Sequence, residues 1–343
     1  MRAIAKTKPE KGLEVVDVKE PIPEENEVIL KVKRASICGT DLHIYRWDEW
    51  ISQSMDIPRI IGHEVAGEIV ELGKSVKGYK KGDIVSVETH FVCHTCPACK
   101  KGDYKVCYNM KILGIDLDGA FAEYVKVPAF NLWKNEIDLP EEVLSVKEPF
   151  GNAVDTVLTE DVSGKSVLIT GAGPLGMMAI LIAKHSGAYP VFVSEVKSYR
   201  TNKAKELGAD YVVNPLEENL YDVIMEKTKG EGVDVLVEMS GNEKALEEGL
   251  KCVAPNGRVS LLGLFEGKVK VDLNNLVILK NVRVYGITGR EMFSTWYKID
   301  KLLESGLDLK KVVTHSFKME EIEKAMELME KGECGKISLV PWH

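Results

Sequence analysis

The chain has 343 residues, 45% of them hydrophobic, and a net charge of -8. That length suggests two domains, each with enough apolar residues for its own core, and the acidic balance speaks against nucleic acid as a main partner. No apolar run approaches the roughly 18 residues of a membrane span, and the charged start MRAIAKTKPEKG lacks the apolar stretch of a secretory signal. The expectation is a soluble cytoplasmic protein without a membrane partner.

Taken in order, the first 150 residues read as closely spaced strands, including 27–32, 62–70 and 84–87, separated by turns at Gly73, Gly78 and Gly82. Such a run predicts a β-rich, barrel-like domain. Past residue 160 the pattern changes to alternating strands and helices. Strands are expected over 166–170, 191–195, 211–213, 233–238, 258–263 and 282–287, and helices over 174–186, 198–207, 217–228 and 243–253. This alternation predicts a doubly wound parallel sheet. Two helical stretches, 296–305 and 320–331, and a short strand over 337–340 close the chain. Lys (37) far exceeds Arg (8) and Glu (36) exceeds Asp (17), a bias associated with thermophile surfaces.

Three groups of residues carry chemistry. GAGPLG, with Gly171, Gly173 and Gly176, follows an apolar strand and opens a helix, and Glu195 ends the next strand. Glycines there allow a pyrophosphate to approach the backbone at a helix N-terminus, while an acidic residue accepts from the ribose 2′-hydroxyl. Arg200 lies near enough in sequence to reach the ribose or a phosphate. The second group is CHTCPACKKGDYKVC, whose Cys93, Cys96, Cys99 and Cys107 offer four thiolates to one structural zinc. Disulfides and an iron–sulfur cluster are the alternatives. The third is dispersed: Cys38, His63, Glu64 and Glu148 together offer the thiolate, imidazole and carboxylate of an open zinc site. His63 and Glu64 can serve it together only if the backbone turns there, because neighbours in a strand face opposite ways. Thr40 and His43, just past Cys38, suit a relay that takes a proton from an alcohol to solvent.

These motifs, in this order, give the chain a resemblance over essentially its whole length to the zinc-dependent medium-chain alcohol dehydrogenase family. Within it, ICGTDLHIYRWDEW, VETH, EPFGNAVDT and YGITGR look like the members that oxidise L-threonine. The resemblance implies a GroES-like catalytic domain from residues 1–150 and 291–343 and a Rossmann domain, 151–290, that binds NAD. It implies two zinc ions per chain: a catalytic one on Cys38, His63 and Glu64, and a structural one on the four clustered cysteines. It puts Glu148 beside the catalytic metal, as ligand or relay group, and matches Thr40 and His43 to the relay. Gly171, Gly173, Leu175, Gly176, Glu195, Arg200, Leu262, Gly263, Leu264, Ile287 and Thr288 match positions that contact NAD. It further implies a homotetramer, and it leaves Cys252 and Cys334 as bystanders.

On this reading the side-chain hydroxyl of L-threonine is oxidised to 2-amino-3-ketobutyrate. The charged, aromatic YRWDEW segment would then supply Asp48 or Glu49 for the ammonium and Arg46 for the carboxylate. The rivals are a polyol or 2,3-butanediol dehydrogenase of the same fold, a zinc-ribbon nucleic-acid-binding protein, and a zinc-free quinone-reductase-like relative.

Overall fold

The computed structural model describes residues 1–342. In its largest sheet, strands Leu132–Lys134, Ile84–Val87, Glu64–Leu72, Glu27–Ser36, Lys336–Val340 and Val313–Lys318 lie side by side, and Tyr124–Pro128 also pairs with Glu27–Ser36. Residue alternation sends Val28, Leu30 and Val32 into one core with Val65, Ile69, Val85 and Val127. A three-stranded sheet of Glu14–Asp17, Arg2–Lys6 and Arg59–Ile60 joins this body, tied on by the Ile4 amide donating to the Phe121 carbonyl at 2.7 Å. The last strand, Lys336–Val340, runs antiparallel to Glu27–Ser36 with Ser338 opposite Ser36. The C-terminal end of the chain therefore completes a sheet that the first third begins.

The second body is a parallel sheet of six strands in the order Tyr211–Val213, Val191–Ser194, Val167–Thr170, Val233–Glu238, Val253–Leu261, Arg283–Gly286. Its central strands are buried on both faces, which is why they read as unbroken apolar runs. Val167 and Ile169 face one core with Met177 and Ile180, while Leu168 faces the opposite one with Phe192 and Leu250. Strand order reverses between Val167–Thr170 and Val233–Glu238, so a crevice opens at the carboxyl ends of these strands.

Several boundaries differ from the sequence reading. The helix expected over 217–228 is Leu220–Lys227, because the Asn219 side chain accepts from the Tyr221 and Asp222 amides and caps it there. Five α-helices within the first 157 residues were not anticipated, and the two longest are Gly39–Arg46 and Lys147–Val157. Both contain weak helix formers: the second includes Pro149 and Gly151, tolerated because proline in a first turn forfeits no helical hydrogen bond. These two helices carry Thr40, His43 and Glu148.

Candidate metal centres and dinucleotide cleft

Cys38, His63 and Glu64 converge, with one ligand atom from each lying within 4.8 Å of the others. Local geometry explains how adjacent residues both arrive. Gly62 adopts φ +90°, and a Cβ there would stand 2.1 Å from the Phe121 ring. His63 thus sits in a turn, and the strand begins only at Glu64. Cys38 precedes the helix Gly39–Arg46 as its N-cap, held by its amide donating to Asp41 Oδ2 at 2.8 Å.

Two of the three are short of hydrogen bonds on their inner side. His63 Nδ1 and Glu64 Oε1 are buried without a partner among the described residues, while Glu64 Oε2 accepts from Ser36 and from Lys336 Nζ. Burial opposes charge on His63, yet the Cys38 thiolate, Asp41 and Glu148 around it raise its pKa to about 10. A pocket so anionic, with two orphaned donor atoms, fits a divalent cation. Cys38 Sγ lies 3.8 Å from Thr40 Oγ1. His43 follows Thr40 by three residues on the same helix face, and its ring is half exposed.

The four cysteines of the lobe also converge within 4.8 Å, and none forms a disulfide. Amides of Cys96, Cys99 and Tyr108 point at sulfur, at 3.4, 3.5 and 3.5 Å. Thr95 and Asn109 add side-chain donors, and Cys93 is held down at about 5, chiefly by Thr95. Donors aimed at thiolates suit a closed four-sulfur zinc site.

Behind the first cluster is a buried ionic group of which sequence reasoning named only Glu148. Arg290 is fully buried and pairs with Glu88 at 2.5 Å and with Glu148 at 2.6 Å. Trp296 Nε1 donates to Glu88 at 3.0 Å and Thr89 to Glu148 at 3.1 Å. Burial opposes ionisation of Glu148, but Arg290 and His63 keep it below the usual carboxylate range. Glu148 stands outside the three-residue ligand cluster. The signal lay in VETH, EPFGNAVDT and YGITGR, which supply Glu88, Glu148 and Arg290.

At the crevice of the parallel sheet, Gly171, Gly173, Glu195 and Arg200 line a cavity of about 400 Å³. Gly176 lets its helix pack onto this turn: a Cβ there would stand 1.9 Å from the Gly171 carbonyl oxygen. Glu195 Oε2 accepts from the Ala172 amide at 2.8 Å, and Oε1 from the Val196 and Lys197 amides at 2.8 and 2.9 Å. One acceptor position thus remains on Oε2. Leu262, Gly263 and Leu264 follow the strand Val253–Leu261, and Ile287 and Thr288 follow Arg283–Gly286. These five and Leu175 are at the carboxyl edge but do not line that cavity.

The charges assigned from sequence to a substrate are otherwise engaged. Arg46 turns to the C-terminal helix and bonds Glu330 at 2.9 Å. Asp48 is taken by the His43 ring and by the Ile51 amide. Glu49 accepts from Gln53 at 3.3 Å, so each of the three charges has a protein partner in this structure.

Two family models match the chain, the alcohol dehydrogenase GroES-like domain over residues 24–140 and the zinc-binding dehydrogenase over residues 174–305. Similar proteins include the L-threonine 3-dehydrogenase of Pyrococcus furiosus, 57% identical over 98% of this chain and 97% of the relative. That of Bacillus velezensis is 48% identical over 99% of both chains. Among solved structures, a dehydrogenase from Escherichia coli complexed with NADH gives a TM-score of 0.91 at 29% identity over 99% of both chains. The 2R,3R-butanediol dehydrogenase of Bacillus subtilis gives 0.90 at 29% identity, again over 99% of both.

Proposed function

The chain belongs to the zinc-binding alcohol dehydrogenases, and we propose that within them it oxidises the side-chain hydroxyl of L-threonine to 2-amino-3-ketobutyrate. One observation carries this: relatives named for that activity match nearly the full chain at 46–57% identity. NAD is the redox partner, and two sets of ligands suit two zinc ions.

In this reading Cys38, His63 and Glu64 hold the catalytic ion, and Cys93, Cys96, Cys99 and Cys107 hold the structural one. When bound, zinc supplies Lewis acidity toward a hydroxyl and NAD supplies the hydride acceptor. Thr40 accepts the hydroxyl proton and passes one to His43, which releases it to solvent. Lys336 and Ser36 orient Glu64 from behind, as carboxylate-fixing groups do around metal sites. Arg290 and Thr89 fix Glu148 beside the reacting region, where it sustains the negative potential. The glycine turn and the helix it opens receive the pyrophosphate, and Glu195 receives the adenosine ribose through its remaining acceptor position.

The proposal extends to organisation. Residues 1–150 and 291–343 make the catalytic unit and 151–290 the NAD unit, joined by the helix Lys147–Val157, which runs across the first boundary. A homotetramer is the expected assembly. It is supported by the free edge of strand Arg283–Gly286 and by exposed Leu273, Ile278 and Leu279 close by in sequence; light scattering of the purified protein tests it. The reaction uses intracellular metabolites, which gives a cytoplasmic location.

The butanediol dehydrogenase reading shares every metal and cofactor residue, so substrates must separate the two. Initial rates with NAD should give a higher kcat/KM for L-threonine than for 2,3-butanediol or sorbitol, with L-serine poorer but detectable. Faster turnover of a diol or polyol would overturn the substrate while leaving the zinc and NAD chemistry in place.

A further inference from the structure

We propose that Asp48 is a positioning residue for proton transfer: it holds the His43 ring in the tautomer with hydrogen on Nδ1 and so leaves Nε2 as the basic nitrogen. The inference rests on the relay reading above and adds to it the group that sets its chemistry.

The geometry begins in the backbone. Trp47 ends the helix Gly39–Arg46 in the left-handed region at φ 56°, with its amide donating to the His43 carbonyl at 2.9 Å. That reversal returns the chain over His43, where Asp48 Oδ2 meets Nδ1. The other carboxylate oxygen is already committed, accepting the Ile51 amide at 3.2 Å as N-cap of the helix Glu49–Ser54. Trp50, from the same helix, stands edge-on to the His43 ring, with centroids 5.5 Å apart at 89°. Ring, carboxylate and indole thus constrain one another. Partial burial works against charge on Asp48, but the bonds from His43 and Ile51 keep it below the usual aspartate range, so it acts as an acceptor.

A carboxylate can only accept from neutral Nδ1–H, so Nε2 is left with its lone pair. A proton arriving by way of Thr40 binds Nε2 and gives an imidazolium, which the facing Asp48 stabilises. The same proton then leaves Nε2 for water, since the His43 side chain is 51% exposed. Hydrogen on Nδ1 stays in place throughout the cycle. The neighbouring Glu49 does not substitute for Asp48: its carboxylate pairs with Gln53 at 3.3 Å.

Asp48→Asn isolates the effect. Asparagine caps a helix as well as aspartate, so Oδ1 keeps the Ile51 amide. The amide nitrogen then occupies the place of Oδ2 and donates to Nδ1, forcing the hydrogen onto Nε2 and inverting the tautomer. The holoenzyme variant should keep its zinc content and Tm. Its rate of NADH formation in the first turnover should fall at least ~10-fold, bounded by the roughly 10²–10⁴-fold loss expected for His43→Ala. The pH profile of kcat/KM should shift with it. Nitrogen-15 spectra of histidine-labelled protein, with His43→Ala for assignment, should show Nδ1 protonated in the wild type and Nε2 protonated in Asp48→Asn.

A wild-type rate and pH profile in Asp48→Asn, beside a slow His43→Ala, would leave Asp48 as a cap only and overturn the proposal while the relay stands. A drop in Tm equal to that of Asp48→Ala would overturn it too, by making the loss structural. Wild-type turnover in His43→Ala would remove the relay itself.

Discussion

Arg290 Nη2 and Glu88 Oε1 lie 2.5 Å apart, and both side chains are completely buried. They are 202 positions apart in sequence. One follows the last strand of the parallel sheet and the other follows the strand Ile84–Val87 of the largest sheet. Glu148 is the third member, so a single guanidinium is shared between two carboxylates.

Removing Arg290 therefore leaves two buried anions side by side. Arg290→Met should lower stability by about 3–5 kcal/mol, the range for breaking a buried pair from one side. Adding Glu88→Gln should return part of that loss, because one of the unpaired charges disappears. Urea denaturation of the single and double variants reads both effects.

The same group predicts a response to acid. Burial raises Glu88, but Arg290 above all, with His90 and Trp296, brings it down to about 2. An unfolded glutamate titrates near ~4.3. A depressed carboxylate stabilises the fold fully above its unfolded value, and that contribution is lost as pH falls toward the folded one. Tm should thus drop between roughly pH 4.5 and pH 2, and Glu88→Gln should have a flatter profile there even if less stable at neutral pH. Equal slopes in the two proteins would show that other carboxylates dominate.

Two ligand sets predict two zinc ions per chain by elemental analysis. Cys38→Ser should lose one ion and nearly all activity while retaining Tm within a few degrees. Cys96→Ser should lose the other and destabilise the lobe, because a closed thiolate site contributes folding energy directly. One ion per wild-type chain would contradict the double assignment.

Cofactor choice follows from Glu195. Its carboxylate is fixed by three backbone amides, so it cannot swing away from a 2′-phosphate without abandoning them. NAD should be favoured over NADP by kcat/KM. Glu195→Gln should narrow the ratio by removing the repulsion. A ratio near one in the wild type would mean that the ribose sits elsewhere.

What the sequence revealed and what it withheld divide along the range of the interactions. The four-cysteine lobe and GAGPLG are local: their spacing alone brings the ligands or the amides together. Cys38, His63 and Glu64 carried only their residue types, and the turn at Gly62 that unites the last two depends on its contact with Phe121. Lys336 gave no signal and Arg290 showed only as the end of YGITGR, since a lysine or arginine is ordinarily a surface residue. They become site residues only when a partner strand from far along the chain buries them. Asp48 was only half legible for a related reason. Its charge was visible, but the left-handed turn at Trp47 that aims it at His43 was not.

The pairing of Lys336 with Glu64 also separates the two metal clusters by the range of sequence each needs. The four-cysteine lobe draws all its ligands from residues 93–107, a single local segment. The other metal cluster is in a different position. Glu64 is fully buried, and its cationic partner lies on the final strand, 272 residues later. That strand fills the sheet beside Glu27–Ser36 and brings the cation behind Glu64. The four-cysteine cluster is thus closed within one short segment, whereas the Cys38, His63 and Glu64 cluster takes its supporting cation from a strand 272 residues away from Glu64.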